Sequence, residues 1–171
     1  MSSVMQNLSS TFEENKYDSS ELKVGIVVAK WNEHITSVLK QGAIDALLQN
    51  GLKEENTTVL DVPGAFELPM GARLLLESKK YDGIICLGCV IKGETKHDEY
   101  ISNAVAQGIM QLGLTSGKPI IFGVLTPNDE QQAIDRSSGI HGNKGIEAAM
   151  TLLQMLQLAK NLKQPKKGIG Y

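Results

Sequence analysis

The segment Lys92–His97 combines residue types that suit phosphate binding and proton transfer. Gly93 lets the backbone approach an anion, and Thr95 adds a hydroxyl where a helix is expected to begin. His97 falls in the first turn of that helix, and imidazole can accept and donate protons near neutral pH. The segment predicts a phosphate cradle beside a proton carrier, with a simple surface histidine as the alternative. Its spacing matches neither the Walker loop nor the G-x-G-x-x-G nucleotide-binding motif.

Two earlier segments could hold a flat heterocyclic ring. Trp31, the only tryptophan, follows an apolar run and could stack on a ligand or simply pack. The turn Pro63-Gly64 leaves free backbone N–H and C=O groups, and it leads into Glu67 at the expected start of a helix. These groups could bind a ring edge that alternates donors and acceptors. The alternative is an ordinary turn in which the Glu67 carboxylate interacts favourably with the helix dipole.

Basic residues follow the last apolar run of the chain. Arg136 lies in a polar helical stretch and could bind a phosphate through two parallel hydrogen bonds, while Lys144 could balance charge. Basic side chains at surfaces are mostly solvated, so their type alone would not single them out. His34 and His141 have no comparable setting, and we expect both to face solvent.

Cys86 and Cys89 are the only cysteines, and they lie within the apolar run Ile84–Ile91. Redox pairs with C-x-x-C spacing sit at a helix N-terminus, where the thiolate is stabilised. Residues three apart in a strand instead point to opposite faces of the sheet. We therefore expect two buried thiols rather than a redox pair.

Four apolar runs of strand length must position these groups: Leu22–Ala29, Thr57–Val62, Ile84–Ile91 and Ile120–Leu125. Three are nearly continuous, as expected for strands covered on both faces. Their alternation with helical stretches predicts an α/β fold, a three-layer αβα sandwich with a mainly parallel four-stranded sheet of flavodoxin-like type. In such sheets ligands bind beyond the carboxyl ends of the strands. The candidate segments described above each come after one of the four apolar runs, so they are expected at that edge of the sheet.

Helical periodicity separates the runs. One helix is expected over Glu33–Asn50, with Asn32 as its N-cap. A shorter helix begins near Glu67, a third follows Thr95, and another carries the apolar stripe Ile146–Leu156.

Composition favours a soluble globular protein, since 42% of the 171 residues are hydrophobic and 21% are charged. With 17 basic and 19 acidic residues, the chain has no broad electrostatic reason to bind nucleic acid or anionic membrane. We expect a mobile polar arm over residues 1–20, one α/β domain over 21–162 and a loose tail over 163–171. The arm lacks the apolar run of a signal peptide, so a cytoplasmic location is expected.

The chain resembles the lumazine synthase family over nearly all of residues 22–158. Four motifs in order carry the resemblance: Val62–Glu67, Leu87–His97, Phe122–Thr126 and Gly142–Gly145. By this resemblance, the pyrimidinedione and its ribityl chain are held by Trp31, Ala65, Phe66, Glu67, Val90, Ile91, Phe122 and Lys144. The phosphate is held by Gly93, Glu94, Thr95 and Arg136, and His97 is the catalytic proton carrier.

The resemblance also implies an assembly. In this family each site lies between neighbouring subunits of a pentameric ring, so Phe122, Arg136 and Lys144 would come from the neighbour. Members are free pentamers or icosahedral shells of twelve pentamers, and the uninterrupted segment Arg136–Asn143 permits a shell. Riboflavin synthase is a candidate further partner. Asp98 departs from the aromatic residue common after the catalytic histidine, which puts the packing around His97 in question.

The activity implied is the condensation of 5-amino-6-(D-ribitylamino)uracil with 3,4-dihydroxy-2-butanone 4-phosphate, the penultimate step of riboflavin biosynthesis. The chemistry needs no metal, nucleotide or flavin, so no cofactor is expected. The main alternative is a non-catalytic flavin- or lumazine-binding protein, or a shell-forming protein, of the same fold. A response-regulator-like switch would need an acidic pocket at the ends of the first and third strands, where this chain has Trp31 and His97.

Overall fold

The computed structural model describes residues 17–163, and these contain one four-stranded sheet. Its strands are β1 (Val24–Ala29), β2 (Thr57–Val62), β3 (Gly83–Cys89) and β4 (Ile120–Leu125). They lie in the order β2-β1-β3-β4, and every neighbouring pair is parallel. The expected parallel α/β sheet is thus confirmed. Most of the expected arm over residues 1–20 and of the tail over 163–171 lies outside the described residues.

Five α-helices connect and flank the strands within residues 17–163. They are α1 (Glu33–Gln49), α2 (Leu68–Ser78), α3 (His97–Ser116), α4 (Glu130–Ser137) and α5 (Lys144–Lys163). Short 3-10 turns precede β2 at Glu54–Asn56 and α2 at Ala65–Glu67. The expected helix over Glu33–Asn50 is confirmed almost to the residue: Asn50 is its C-cap, and Gly51 follows at a φ of 90°.

The central strands are buried on both faces, which explains why their sequences read as continuous apolar runs. Val24, Ile26 and Val28 of β1 belong to a core that includes residues of α1 and α5. Val27 and Ala29 belong to an opposite core that includes residues of α2 and α3. Alternate residues of one strand therefore enter different helical layers, and the three-layer arrangement is confirmed.

The expected third strand over Ile84–Ile91 is two residues too long at its carboxyl end, because β3 ends at Cys89. β3 ends at Cys89 because Cys89 pairs with Leu125, the last residue of β4. Beyond this pair, Val90 N still donates to Leu125 O at 2.8 Å and Lys92 N to Pro127 O at 3.0 Å, but these bonds lie outside the two strands. Val90 and Ile91 therefore lie just beyond the end of β3, although both are apolar.

Both cysteine thiols are buried, as expected, and they enter opposite cores. Burial raises the pKa of the Cys86 thiol to about 12 and that of the Cys89 thiol to about 11, because the thiolate would lose its hydration. The helices of residues 17–163 include none with the length and apolar character needed to cross a membrane.

Candidate active site

The strand order places a natural ligand crevice between β1 and β3. From β1 the chain passes to β2 on one side, and it then crosses to β3 on the other side. The loops leaving β1 and β3 therefore diverge at their carboxyl ends, which is the switch point where ligands bind in doubly wound sheets.

A cavity of about 680 Å³ occupies this position. It gathers residues from the exits of three strands, β1, β2 and β3. Nine of the thirteen residues that the family resemblance assigns to the site line it: Trp31, Ala65, Phe66, Glu67, Val90, Ile91, Gly93, Thr95 and His97. The size is within the range of small-molecule sites, and the lining is mostly apolar with a few polar groups.

Trp31 presents its ring at the mouth of this cavity, with 74% of its surface exposed. The loop that carries it continues the pairing of β1 with β2. Lys30 N donates to Val62 O at 2.8 Å and Trp31 N donates to Pro63 O at 3.1 Å. A large exposed aromatic ring on a hydrogen-bonded loop is well suited to stacking on a flat ligand.

The segment after β2 forms the second wall. Glu67 N donates to Gly64 O at 3.2 Å, which closes the 3-10 turn Ala65–Glu67 before α2 begins. Ala65 is buried and fixes the turn, whereas Phe66 is 57% exposed. The half-buried Glu67 carboxylate adds an acceptor to this wall of the cavity.

The segment after β3 forms the third wall. His97 is the first residue of α3 and is exposed, and its N–H lies 3.4 Å from Thr95 Oγ1. Gly93 has open space where a side chain would stand, and its N–H faces Asp98 Oδ1 at 3.5 Å. The Gly93 N–H thus faces a carboxylate oxygen of the same chain beside the helix N-terminus, and the phosphate cradle at this segment stays a prediction. Glu94 is exposed and is not among the residues that line the cavity.

The remaining three residues lie elsewhere on the same chain. Phe122, Arg136 and Lys144 line a second cavity of about 510 Å³ between β4 and the start of α5. This cavity shares no lining residue with the first. Arg136 is half-buried, and its Nη1 donates to Gln132 O at 3.2 Å.

Lys144 is held at the start of α5 by local contacts. Its Nζ lies 2.8 Å from Oε2 of Glu147, a nearly buried carboxylate one turn later. Asn143 holds the beginning of this helix, because its Oδ1 accepts from Gly145 N at 2.7 Å and its Nδ2 donates to Val38 O at 3.0 Å.

Charge divides between the two cavities. Besides the buried thiol of Cys89, the ionisable residues lining the first are Glu67, His97 and Asp98, with no lysine or arginine among its lining residues. Arg136, Lys144 and Glu147 line the second, where the Glu147 carboxylate pairs with Lys144. The segment predicted to bind phosphate and the cations predicted to neutralise it therefore line different cavities of one chain.

Several lining residues were not found from the sequence. Asn32 was expected only as a helix cap, yet it lines the first cavity and its Nδ2 donates to Cys89 O at 2.9 Å. Asp98 and Ile101 line it from the first turns of α3. Of these three residues, only Asp98 could have been suspected from the sequence, because it directly follows His97.

The other histidines lie outside this lining. His34 is exposed as expected, with Nε2 2.9 Å from Glu130 Oε1. The expectation for His141 is wrong, since the residue is half-buried. Its N–H donates to Asp135 O at 3.0 Å, which draws the turn after α4 against that helix. In residues 17–163, no three His, Cys, Asp or Glu side chains group in a way that could hold a metal ion.

Comparison with known proteins agrees with the resemblance carried by the four motifs. The family model for 6,7-dimethyl-8-ribityllumazine synthase matches residues 21–160. The 6,7-dimethyl-8-ribityllumazine synthase of Cytophaga hutchinsonii is 52% identical over 156 residues, covering 91% of this chain and 98% of the relative. That of Parabacteroides distasonis is 46% identical over 159 residues, covering 93% of this chain and 99% of the relative. The chain therefore belongs to the 6,7-dimethyl-8-ribityllumazine synthase family.

Proposed function

We propose that this chain condenses 5-amino-6-(D-ribitylamino)uracil with 3,4-dihydroxy-2-butanone 4-phosphate to give 6,7-dimethyl-8-ribityllumazine, phosphate and water. This is the penultimate step of riboflavin biosynthesis. The observation that carries the proposal is the first cavity, in which an exposed indole, a backbone-rich turn and an anion cradle with a histidine meet at one switch point.

The first cavity suits the pyrimidinedione and its ribityl chain. Trp31 supplies the stacking surface, and Val90 and Ile91 contact the ring edge after leaving β3. Ala65, Phe66 and Glu67 supply backbone groups and a carboxylate that bind the polar ring edge and the ribityl hydroxyls. Stacking fixes the plane of the ring, and hydrogen bonds fix its rotation within that plane.

The keto-phosphate binds beside it, with its phosphate at Gly93, Glu94 and Thr95. The nearby carboxylates of Glu67 and Asp98 make added positive charge necessary there. We propose that a neighbouring subunit supplies Arg136, together with Phe122 and Lys144 for the ring. The support is the separation of charge between the two cavities, because neither cavity alone pairs the cradle with a cation.

Apolar surface along β4 supports such an assembly. A further groove of about 650 Å³ follows this strand between α3 and α5, and its lining includes the exposed side chains of Met110, Leu114, Met155 and Leu158. Large exposed apolar patches mark protein–protein contacts. A ring of five subunits that repeats one head-to-tail contact would bring the second cavity of each chain against the first cavity of the next. A shell of twelve such pentamers is compatible with this proposal.

The mechanism follows from positioning and proton transfer. The pyrimidine amine attacks the ketone and water leaves to give an imine; phosphate is then eliminated, and the second amine closes the ring with loss of water. His97, at the cavity and next to the cradle, accepts and donates the protons that these steps move. Both substrates are reactive, so holding them together supplies most of the acceleration.

Mixing the protein with both substrates tests the proposal. We expect lumazine to form, as detected by its fluorescence, together with one molecule of inorganic phosphate for each lumazine. A non-catalytic flavin- or lumazine-binding protein would bind the product without releasing phosphate, and that result would reject the enzyme assignment. A cytoplasmic location and association with riboflavin synthase remain predictions, to be checked by fractionation and co-purification.

A further inference from the structure

Asn32 has an unusual backbone conformation beside the first cavity. With φ 60° and ψ 46°, it is the one non-glycine residue of residues 17–163 that has a positive φ. Asparagine tolerates this left-handed conformation better than most residues, but other L residues rarely adopt it. Such outliers persist where the surrounding structure requires them, and they concentrate at functional sites.

Helix capping does not explain this conformation. An N-cap residue ordinarily has extended backbone, and its side chain accepts a hydrogen bond from the first turn of the helix. Asn32 is left-handed, and its side chain makes no capping bond to α1. Its carbonyl oxygen accepts from Ile35 N and Thr36 N, which any residue at this position could do.

The side chain instead bridges two strand exits. The ladder between β1 and β3 ends at the pair Val28 and Leu87. Beyond this pair, Asn32 Nδ2 donates to Cys89 O at 2.9 Å, across 57 residues of sequence. The loop of Trp31 is already bonded to the exit of β2 on its other side, so the Asn32 amide is what joins this loop to the exit of β3.

We propose that Asn32 is a positioning residue that sets the width of the ring slot between Trp31 and Val90–Ile91. Its left-handed backbone turns the side chain towards β3, and its amide holds the indole-bearing loop at a fixed distance from the opposite wall. The role in substrate binding rests on the proposed function, whereas the role in ordering Trp31 can be measured without substrate.

Two substitutions separate the amide from the backbone conformation. Asn32→Gly keeps access to positive φ but removes the hydrogen bond. Asn32→Asp keeps the shape of the side chain but directs a carboxylate oxygen at the Cys89 carbonyl, where a donor is required. Asn103→Asp, at an exposed position on α3 outside the cavity lining, controls for the change in charge.

The kinetic expectation is a selective loss of pyrimidine binding. Both variants should raise KM for the ribitylaminopyrimidinedione by about 5- to 10-fold, the size expected for one neutral hydrogen bond. The KM for the keto-phosphate and kcat should change by less than about 3-fold, because the cradle and His97 lie on a different loop. Asn103→Asp should resemble the parent protein.

Trp31 is the only tryptophan, so its fluorescence reports this loop directly. Time-resolved anisotropy of ligand-free protein should show larger nanosecond motion of the indole in Asn32→Gly and Asn32→Asp than in the parent and in Asn103→Asp. Circular dichroism should show that the variants remain folded. Because Asn32→Gly and Asn32→Asp change the residue in different ways, one folded variant is sufficient for the test.

Parental anisotropy in folded variants overturns the proposal. If the same variants still raise KM, Asn32 contacts substrate directly instead of positioning Trp31. If the parent protein forms no lumazine while the anisotropy changes as expected, the proposed function fails and the positioning of Trp31 by Asn32 stands.

Discussion

Asp98 places a negative charge where the phosphate is proposed to bind, so binding needs positive charge from other residues. It is half-buried in the first turn of α3, and its Oδ1 lies 3.5 Å from the N–H of Gly93. A phosphate bound to that N–H would approach this carboxylate, and the two like charges would repel. The repulsion increases the contribution expected from Arg136, the arginine of the second cavity.

Arg136→Ala should therefore raise KM for the keto-phosphate by ~10²-fold or more, because losing a charge-assisted pair costs roughly 2–3 kcal/mol. Steady-state kinetics with the pyrimidine held at saturation measures this change. Arg73→Ala is the matched control, since Arg73 is exposed on α2 and its Nε pairs with Glu77 at 2.9 Å. An unchanged KM would remove Arg136 from the phosphate site.

His97 should assist catalysis without being indispensable. It begins α3 at the edge of the first cavity, and the reaction needs proton transfers but no covalent enzyme intermediate. His97→Ala should lower kcat by about 10- to 100-fold, roughly 1.4–2.7 kcal/mol of barrier, with both KM values nearly unchanged. His34→Ala, an exposed histidine outside the cavity lining, should retain parental kcat. Complete inactivity of correctly assembled His97→Ala would show an essential role instead.

At the scale of elements, the sequence predicted those strands and helices that depend on local residue patterns. The four strands and the helix after Asn32 follow from burial and periodicity, which neighbouring residues encode. The end of β3 was missed because it depends on where β4 ends, and the partner of Asn32 was missed because Cys89 is 57 residues away. Both failures concern long-range contacts that no local pattern contains.

Close packing of α1 against α5 depends on Gly145. A Cβ at this position would overlap the carbonyl oxygen of Leu39, a backbone atom that cannot rotate away. Gly145→Ala should therefore lower the free energy of unfolding by about 1–3 kcal/mol despite the better helix propensity of alanine. Thermal unfolding followed by circular dichroism measures the loss. Gly113→Ala is the control, because its nearest contact, to Lys118 O at 3.5 Å, is ordinary; equal stability of both variants would contradict the packing argument.

Burial of both thiols in β3 predicts their reactivity. Because burial raises the pKa of Cys86 to about 12 and of Cys89 to about 11, both should stay protonated and resist a thiol reagent at pH 8. Both should react once the protein is unfolded. Thiols of the unfolded chain ionise near the ordinary cysteine pKa of 9.0, so the stability contribution of the neutral thiols should decrease as pH rises above about 9. Rapid labelling of the folded protein would show that β3 is not buried as described.

At the scale of the whole molecule, the chain carries two surfaces that are chemically complementary but separate. The first cavity has the residues proposed to bind the ring and the phosphate, and the second has Arg136 and Lys144. Arg136 and Lys144 were assigned to the site through the family resemblance, because sequence pattern by itself only placed each group after a strand. The pattern could not show whether they meet in one chain, because that depends on which face of the sheet each cavity occupies.

Subunit mixing tests whether the cavities combine between chains. Trp31→Ala impairs the first cavity and Arg136→Ala impairs the second, so each pure variant should have low activity. When the two are dissociated, mixed at equal ratio and reassembled as rings, about a quarter of head-to-tail interfaces should pair an intact first cavity with an intact second one. The activity of the mixture should then exceed that of either pure variant. It should be highest at the equal ratio and fall symmetrically on either side. Mixing without dissociation is the control. If each chain holds a complete site, the activity at every mixing ratio should be only the weighted mean of the activities of the two pure variants, because subunit exchange could not then bring an intact Trp31 and an intact Arg136 into one site.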